Sequence, residues 1–121
     1  MSLLQFLAIG VAGSIGALAR FQLDAAVTLR SDTSFPAGTF VVNISGAFLL
    51  GFLTGLAVPF ELQRFFAVGI LGSFTTFSTW MLETQRLAEA GRPRLAGLNI
   101  ALSLAVGIFA VWLGRELGGL L

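Results

Sequence analysis

The sequence predicts an all-α membrane protein of one small domain, with four transmembrane helices, and three observations predict it. Of 121 residues, 56% are hydrophobic and only 11% are charged, giving a mean hydropathy of +0.93. Four apolar stretches stand near 3–23, 38–58, 65–82 and 97–114, each close to the ~20 residues a helix needs to cross the hydrocarbon. The charges collect between these stretches. A soluble chain of this length has little use for four such runs.

The first helix, near 3–23, carries Gly10, Gly13 and Gly16, a face suited to close helix packing. Arg20 near its end is placed to snorkel to the headgroups, and a role in attracting anions stays open. Ala17-Leu18-Ala19 imitates a signal-cleavage site, but residues 1–6 hold no basic residue, so the segment is read as a retained helix. Loop one, about 24–37, holds Asp24, Arg30 and Asp32, with Pro36 ahead of the second helix.

The second helix, near 38–58, repeats Thr39, Asn43, Ala47, Gly51 and Gly55 every four residues. One face is therefore small and carries its only amide, Asn43. That amide serves either an interhelical hydrogen bond or a pathway for a polar solute. Loop two is read as a tight turn from Pro59 to Arg64. The third helix is expected over 62–90, because Leu82 to Ala90 are good helix formers and Gly91 and Pro93 follow as stops. In the fourth, near 97–114, Asn99, Ser103 and Gly107 form a second small polar stripe.

Residues 72–79, Gly-Ser-Phe-Thr-Thr-Phe-Ser-Thr, lie inside the third apolar stretch. Such a run either stays helical, each hydroxyl bonding back to the previous turn, or marks a break whose freed backbone groups meet an ion or partner. The midpoint of 62–90 falls on this run, near the bilayer midplane, which favours a break at 72–76. Phe74 and Phe77 are interleaved with its hydroxyls.

The absences narrow the chemistry. There is no Cys and no His, so thiolate chemistry, the commonest metal ligand and the usual proton shuttle are missing. The net charge of +1 carries no sign of nucleic-acid binding. No carboxylate falls within the apolar stretches, as Asp24, Asp32, Glu61, Glu83, Glu89 and Glu116 all stand at or beyond their ends. Proton-coupled and cation carriers usually need an acid there, and an enzyme would need converging catalytic groups. Hydroxyls, amides and aromatic edges remain, and these donate to an anion. Four helices of this size enclose little volume, so a homo-oligomer is expected. Arg20, Arg30, Arg86, Arg92 and Arg94 on one side face Arg64, Arg115 and the N-terminal amine on the other, a bias too small to secure one orientation.

Three blocks carry a resemblance to a known family: Gly16-Ala17-Leu18-Ala19-Arg20-Phe21, the run from Gly38 to Gly51 containing Asn43, and Gly72 to Thr79. In order, spacing and total length they resemble the Fluc (CrcB) fluoride channels over essentially the whole chain. The resemblance implies an antiparallel, dual-topology homodimer in the inner cell membrane, with two pathways for passive fluoride exit. It also implies a central structural sodium ion (Na+) on backbone carbonyls of Gly72 and Thr75 from both subunits. Asn43 matches the family's pore asparagine and Phe77 the first phenylalanine of its aromatic box. Ser78, Thr79 and Ser103 match polar groups along the pathway, and Glu83 the acid just beyond the motif. With Thr39, Phe74 and Arg20 from the residue reading, these form the candidate fluoride pathway.

Two positions depart from the family pattern. Trp80 stands where the family has its second box phenylalanine, and Gly107 where a second hydroxyl often follows Ser103. Trp80 is expected to line the pathway through its positive ring edge, with an added N–H donor, the alternative being that it turns toward lipid or another helix and never meets the ion. The alternatives are a small dual-topology multidrug or cation transporter, a small lipid-modifying enzyme and a structural membrane subunit. The first would need an acid within 3–23, and the second would answer to nucleotide. Anion flux would exclude the third.

Overall fold

Leu18 and Ile108 leave 60% and 70% of their surface open, while the buried apolar residues include ones as small as Ala12, Ala96 and Ala110. That inverted distribution suits a chain whose solvent is lipid. A computed structural model describes residues 2–121, and their regular structure is helical throughout. The elements are α1 (Leu3–Arg30), α2 (Ala37–Leu56), α3 (Phe60–Arg64), a π-helical segment (Phe65–Leu71), α4 (Gly72–Phe74), α5 (Phe77–Glu89) and α6 (Pro93–Gly119). From α3 to α5 the chain forms one span, Phe60–Glu89, so four spans are long and apolar enough to cross a membrane. The chain is a multi-pass membrane protein.

The ends differ from the sequence reading for local reasons. Ser2 and Gln5 close a reciprocal capping box on α1, Ser2 N–H donating to Gln5 Oε1 at 2.8 Å and Gln5 N–H to Ser2 Oγ at 3.2 Å. At its far end α1 continues to Arg30, not to about 23. Asp24 and Thr28 therefore lie within the helix, linked by a 3.1 Å hydrogen bond from the Thr28 hydroxyl. Loop two is shorter than expected, since helix resumes at Phe60 after Pro59. Gly91 turns the chain with φ of 77°, a conformation open to glycine at little cost, and Pro93 then opens α6, which runs on to Gly119.

Two parallel pairs of spans build the packing. Along α2 and α6, a Cβ on Gly51 would strike the Val111 carbonyl, and one on Gly114 the Phe48 carbonyl. Gly55 meets Arg115 and Gly118 meets Phe52 in the same way, one turn further along both helices. The seam closes backbone to backbone because neither side presents a side chain. The second pair is α1 with the π segment and α4, where Gly16 abuts the Ile70 carbonyl and the Ser73 hydroxyl.

Candidate functional site

Between α4 and α5 the backbone leaves the helix at two residues. Thr75 has φ −81° and ψ 159°, and Thr76 has φ −146° and ψ 121°. Both are β-branched and suited to extended backbone, and both find polar partners. The Thr76 hydroxyl accepts from Thr79 N–H at 3.2 Å, capping α5. Asn43, reaching across from α2, takes both faces of the Thr76 backbone. Its Nδ2 donates to the Thr76 carbonyl at 2.9 Å, and its Oδ1 accepts from Thr76 N–H at 2.8 Å.

That arrangement has a consequence for the preceding turn. In a continuous helix, Thr76 N–H would donate to the Gly72 carbonyl and Thr79 N–H to the Thr75 carbonyl. Both N–H groups are instead held by side chains, so those two carbonyls lose their helical donors. Asn43 has two amide N–H groups and gives one to Thr76, leaving one for another acceptor.

A cavity of about 210 Å³ adjoins this junction, lined by Arg20 and Asp24 of α1, Thr39 of α2, and Thr76 and Thr79. The Thr39 hydroxyl is buried, the residue being only 3% exposed, and the Glu83 carboxylate stands close enough to accept from it. Asp24, expected in loop one, is thus a carboxylate inside a span and facing the cavity that Arg20 also faces. Toward the α1–α2 and α5–α6 connections lies a wider cavity of about 460 Å³, lined by Glu83, Arg86 and Arg92 and by Ser31, Thr33 and Ser34. Arg92 Nη1 donates to the Ser34 hydroxyl there at 2.7 Å, tying the two connections together.

On the other side of α5, Phe77 and Trp80 meet edge to face, with ring centroids 5.7 Å apart and planes at 80°. The Trp80 indole N–H is committed to the Asn99 carbonyl of α6 at 3.3 Å.

A family model described as CrcB-like protein, Camphor Resistance (CrcB), matches residues 7–115. The chain belongs to the CrcB family. It is 48% identical over 114 residues to a protein of Mycolicibacterium paratuberculosis named Fluoride-specific ion channel FluC 2, covering 93% of each chain. A Symbiobacterium thermophilum protein named Fluoride-specific ion channel FluC 1 is 47% identical over 117 residues, 91% of this chain and 94% of that one. One from Hydrogenovibrio crunogenus, named Fluoride-specific ion channel FluC, is 41% identical over 116 residues, 92% and 88% respectively.

Within this CrcB chain the expected site residues fall into groups. Arg20, Thr39 and Thr79 share the small cavity, and Asn43 sits on the Thr75–Thr76 junction. Phe77 and Ser78 are exposed, as is Gly72, and all three lie within five residues of that junction in the chain. Phe74 is buried in its own chain beside Gly46. Glu83 lines the wider cavity, with its Oε1 buried and its carboxylate beside the Thr39 hydroxyl. Ser103 has a buried hydroxyl with no partner on α6, apart from both cavities. The sequence reading passed over the roles of Thr76, Thr84 and Asp24. A threonine just ahead of a helix start is a capping signal for Thr76, whereas nothing local marks Thr84. The π segment Phe65–Leu71, a rare geometry that often stands beside functional sites, also carries no sequence signal.

Proposed function

We propose that the chain is a passive, fluoride-selective channel of the cell membrane. The observation that carries this reading is the Asn43–Thr76 junction. It sets a spare amide donor, a buried Thr39 hydroxyl and an arginine-bearing cavity around one interruption of a membrane span. Taking even an ammonium-sized ion from water to low dielectric costs on the order of 20 kcal/mol. Fluoride is smaller, so its shell must be replaced at close range. Amide and hydroxyl donors do this, and the positive edges of Phe77 and Trp80 add to it. Since the indole N–H is held by Asn99, Trp80 acts through its ring edge. The names of the relatives point the same way.

The finer reading is an antiparallel homodimer of dual topology, and it has two supports. Phe77 is 70% exposed in the single chain, and Gly72 and Ser78, close to it in sequence, are exposed too, surface that a second copy would cover. The carbonyls of Gly72 and Thr75, without helical donors, are oxygen ligands of the kind a hard cation takes. Two copies of that pair would hold a sodium ion at the two-fold axis, where it would raise the local potential for an anion.

Asp24 and Glu83, both carboxylates within spans, are the observations favouring a cation transporter, and each shares its cavity with an arginine, Arg20 for Asp24 and Arg86 for Glu83. Reconstitution decides between them. Liposomes holding the protein should release fluoride passively and retain chloride. Fluoride efflux no faster than from empty vesicles, with folded protein present, would overturn the channel reading. Single-cysteine labelling in the α5–α6 connection should mark both faces of the membrane, and labelling from one face alone would overturn dual topology.

A further inference from the structure

Trp80, Asn99 and Thr84 form a closed ring of hydrogen bonds between α5 and α6. The indole N–H donates to the Asn99 carbonyl at 3.3 Å, Asn99 Nδ2 donates to the Thr84 hydroxyl at 2.9 Å, and that hydroxyl donates to the Trp80 carbonyl at 2.8 Å. Asn99 is 1% exposed, so its amide has no water to fall back on, and losing its acceptor would strand a buried donor. Phenylalanine at position 80 has no N–H and cannot enter this ring. We infer that Thr84 and Asn99 are positioning residues, holding the Trp80 indole nearly perpendicular to Phe77 and thereby setting how the aromatic pair receives the anion.

An indole swings about two side-chain torsions, and its edge direction is fixed only when a second point is tied down. The Trp80 backbone is tied through Thr84 and its ring tip through Asn99, and Asn99 and Thr84 are tied to each other. The edge-to-face angle of 80° with Phe77 is the outcome. Removing the Thr84 hydroxyl cuts the side-chain tie between α5 and α6, so the α6 backbone, and with it the Asn99 carbonyl under the indole, is free to shift away from Trp80. The inference rests on the channel reading, because a ring held in place matters to flux only if the anion passes it.

The chain has two tryptophans, so Trp112→Phe leaves Trp80 as the sole indole. In that background Thr84→Val should lower the Trp80 fluorescence anisotropy, and Thr84→Ser, which keeps the hydroxyl, should restore it. Fluoride flux per folded channel should fall about two- to tenfold in Thr84→Val, the factor one net hydrogen bond carries. The same substitution made on Trp80→Phe should change flux by less than about twofold relative to Trp80→Phe alone, as coupled residues behave in a double-mutant cycle. Equal losses in both backgrounds, or anisotropy unmoved by Thr84→Val, would overturn the inference. If Thr84→Val yields no folded protein, ultraviolet resonance Raman of the Trp112→Phe protein reads the indole N–H directly. A free N–H there overturns the inference, and a hydrogen-bonded one supports it. Should the unmodified protein pass no fluoride, the channel reading falls first, and the anisotropy series shows whether the ring of bonds stands without it.

Discussion

Asn43 and Gly51 stand about two helical turns apart on one stripe of α2, and they hold their neighbours by opposite means. Gly51 lets the α6 backbone come to rest against α2 by offering no side chain. Asn43 offers a full amide and fills both hydrogen-bonding positions of Thr76 with it. The first contact is dry, nonspecific in chemistry and strict in shape. The second tolerates a looser shape and is strict in chemistry. A stripe of small and polar residues is therefore two devices in sequence, one for closing helices together and one for holding a span out of helix.

The largest effect is expected at the seam. Gly114→Leu drives a side chain into the Phe48 carbonyl and the Phe52 amide, where the obstacle is backbone and cannot rotate aside. Overpacking ordinarily costs about 1–3 kcal/mol and sometimes more, so this variant should give no monodisperse protein in size-exclusion chromatography. A well-behaved Gly114→Leu protein would show that the seam does not govern assembly of the fold.

Next comes Asn43→Ala, which leaves the Thr76 N–H and carbonyl without partners, at about 1–3 kcal/mol for each stranded group. Thermal stability should drop, and fluoride flux per folded channel should drop further, since the spare amide donor disappears as well. If flux per folded channel persists, Asn43 is a packing residue like Gly51. Thr76→Val tests the same junction more gently. It removes only the α5 cap, worth about 0.5–2 kcal/mol, and should lower the melting temperature while leaving Asn43 seated.

The smallest effect on the fold of the single chain is expected from Phe77→Ala, because that ring is 70% exposed there. Its flux should nonetheless fall strongly. Stability and flux thus separate: the seam moves the first, Phe77 the second, and Asn43 both. Flux unchanged in a folded Phe77→Ala protein would remove the aromatic edge from the pathway.

Four spans, their order and the membrane as solvent were legible in the sequence, because apolar run length is a local property that needs no partner to read. So was the capacity of residues 72–79 for something other than plain helix, since hydroxyl crowding is visible in the letters. The sequence also placed Arg20, Thr39, Asn43 and Thr79 among the candidates by residue type and helical spacing. Other features were decided only by the assembled fold. Asp24 reads as loop until α1 is seen to run on to Arg30, which turns it toward Arg20 and Thr39. Phe74 and Phe77 look alike in the motif, yet one is buried beside Gly46 and the other lies open. The indole N–H of Trp80 looks like a free donor until α6 brings the Asn99 carbonyl to it. Which residues leave the helix is likewise a tertiary matter. A hydrogen bond across 33 positions of chain, from Thr76 N–H to Asn43 Oδ1, competes with the one four residues back, and no local pattern records which wins.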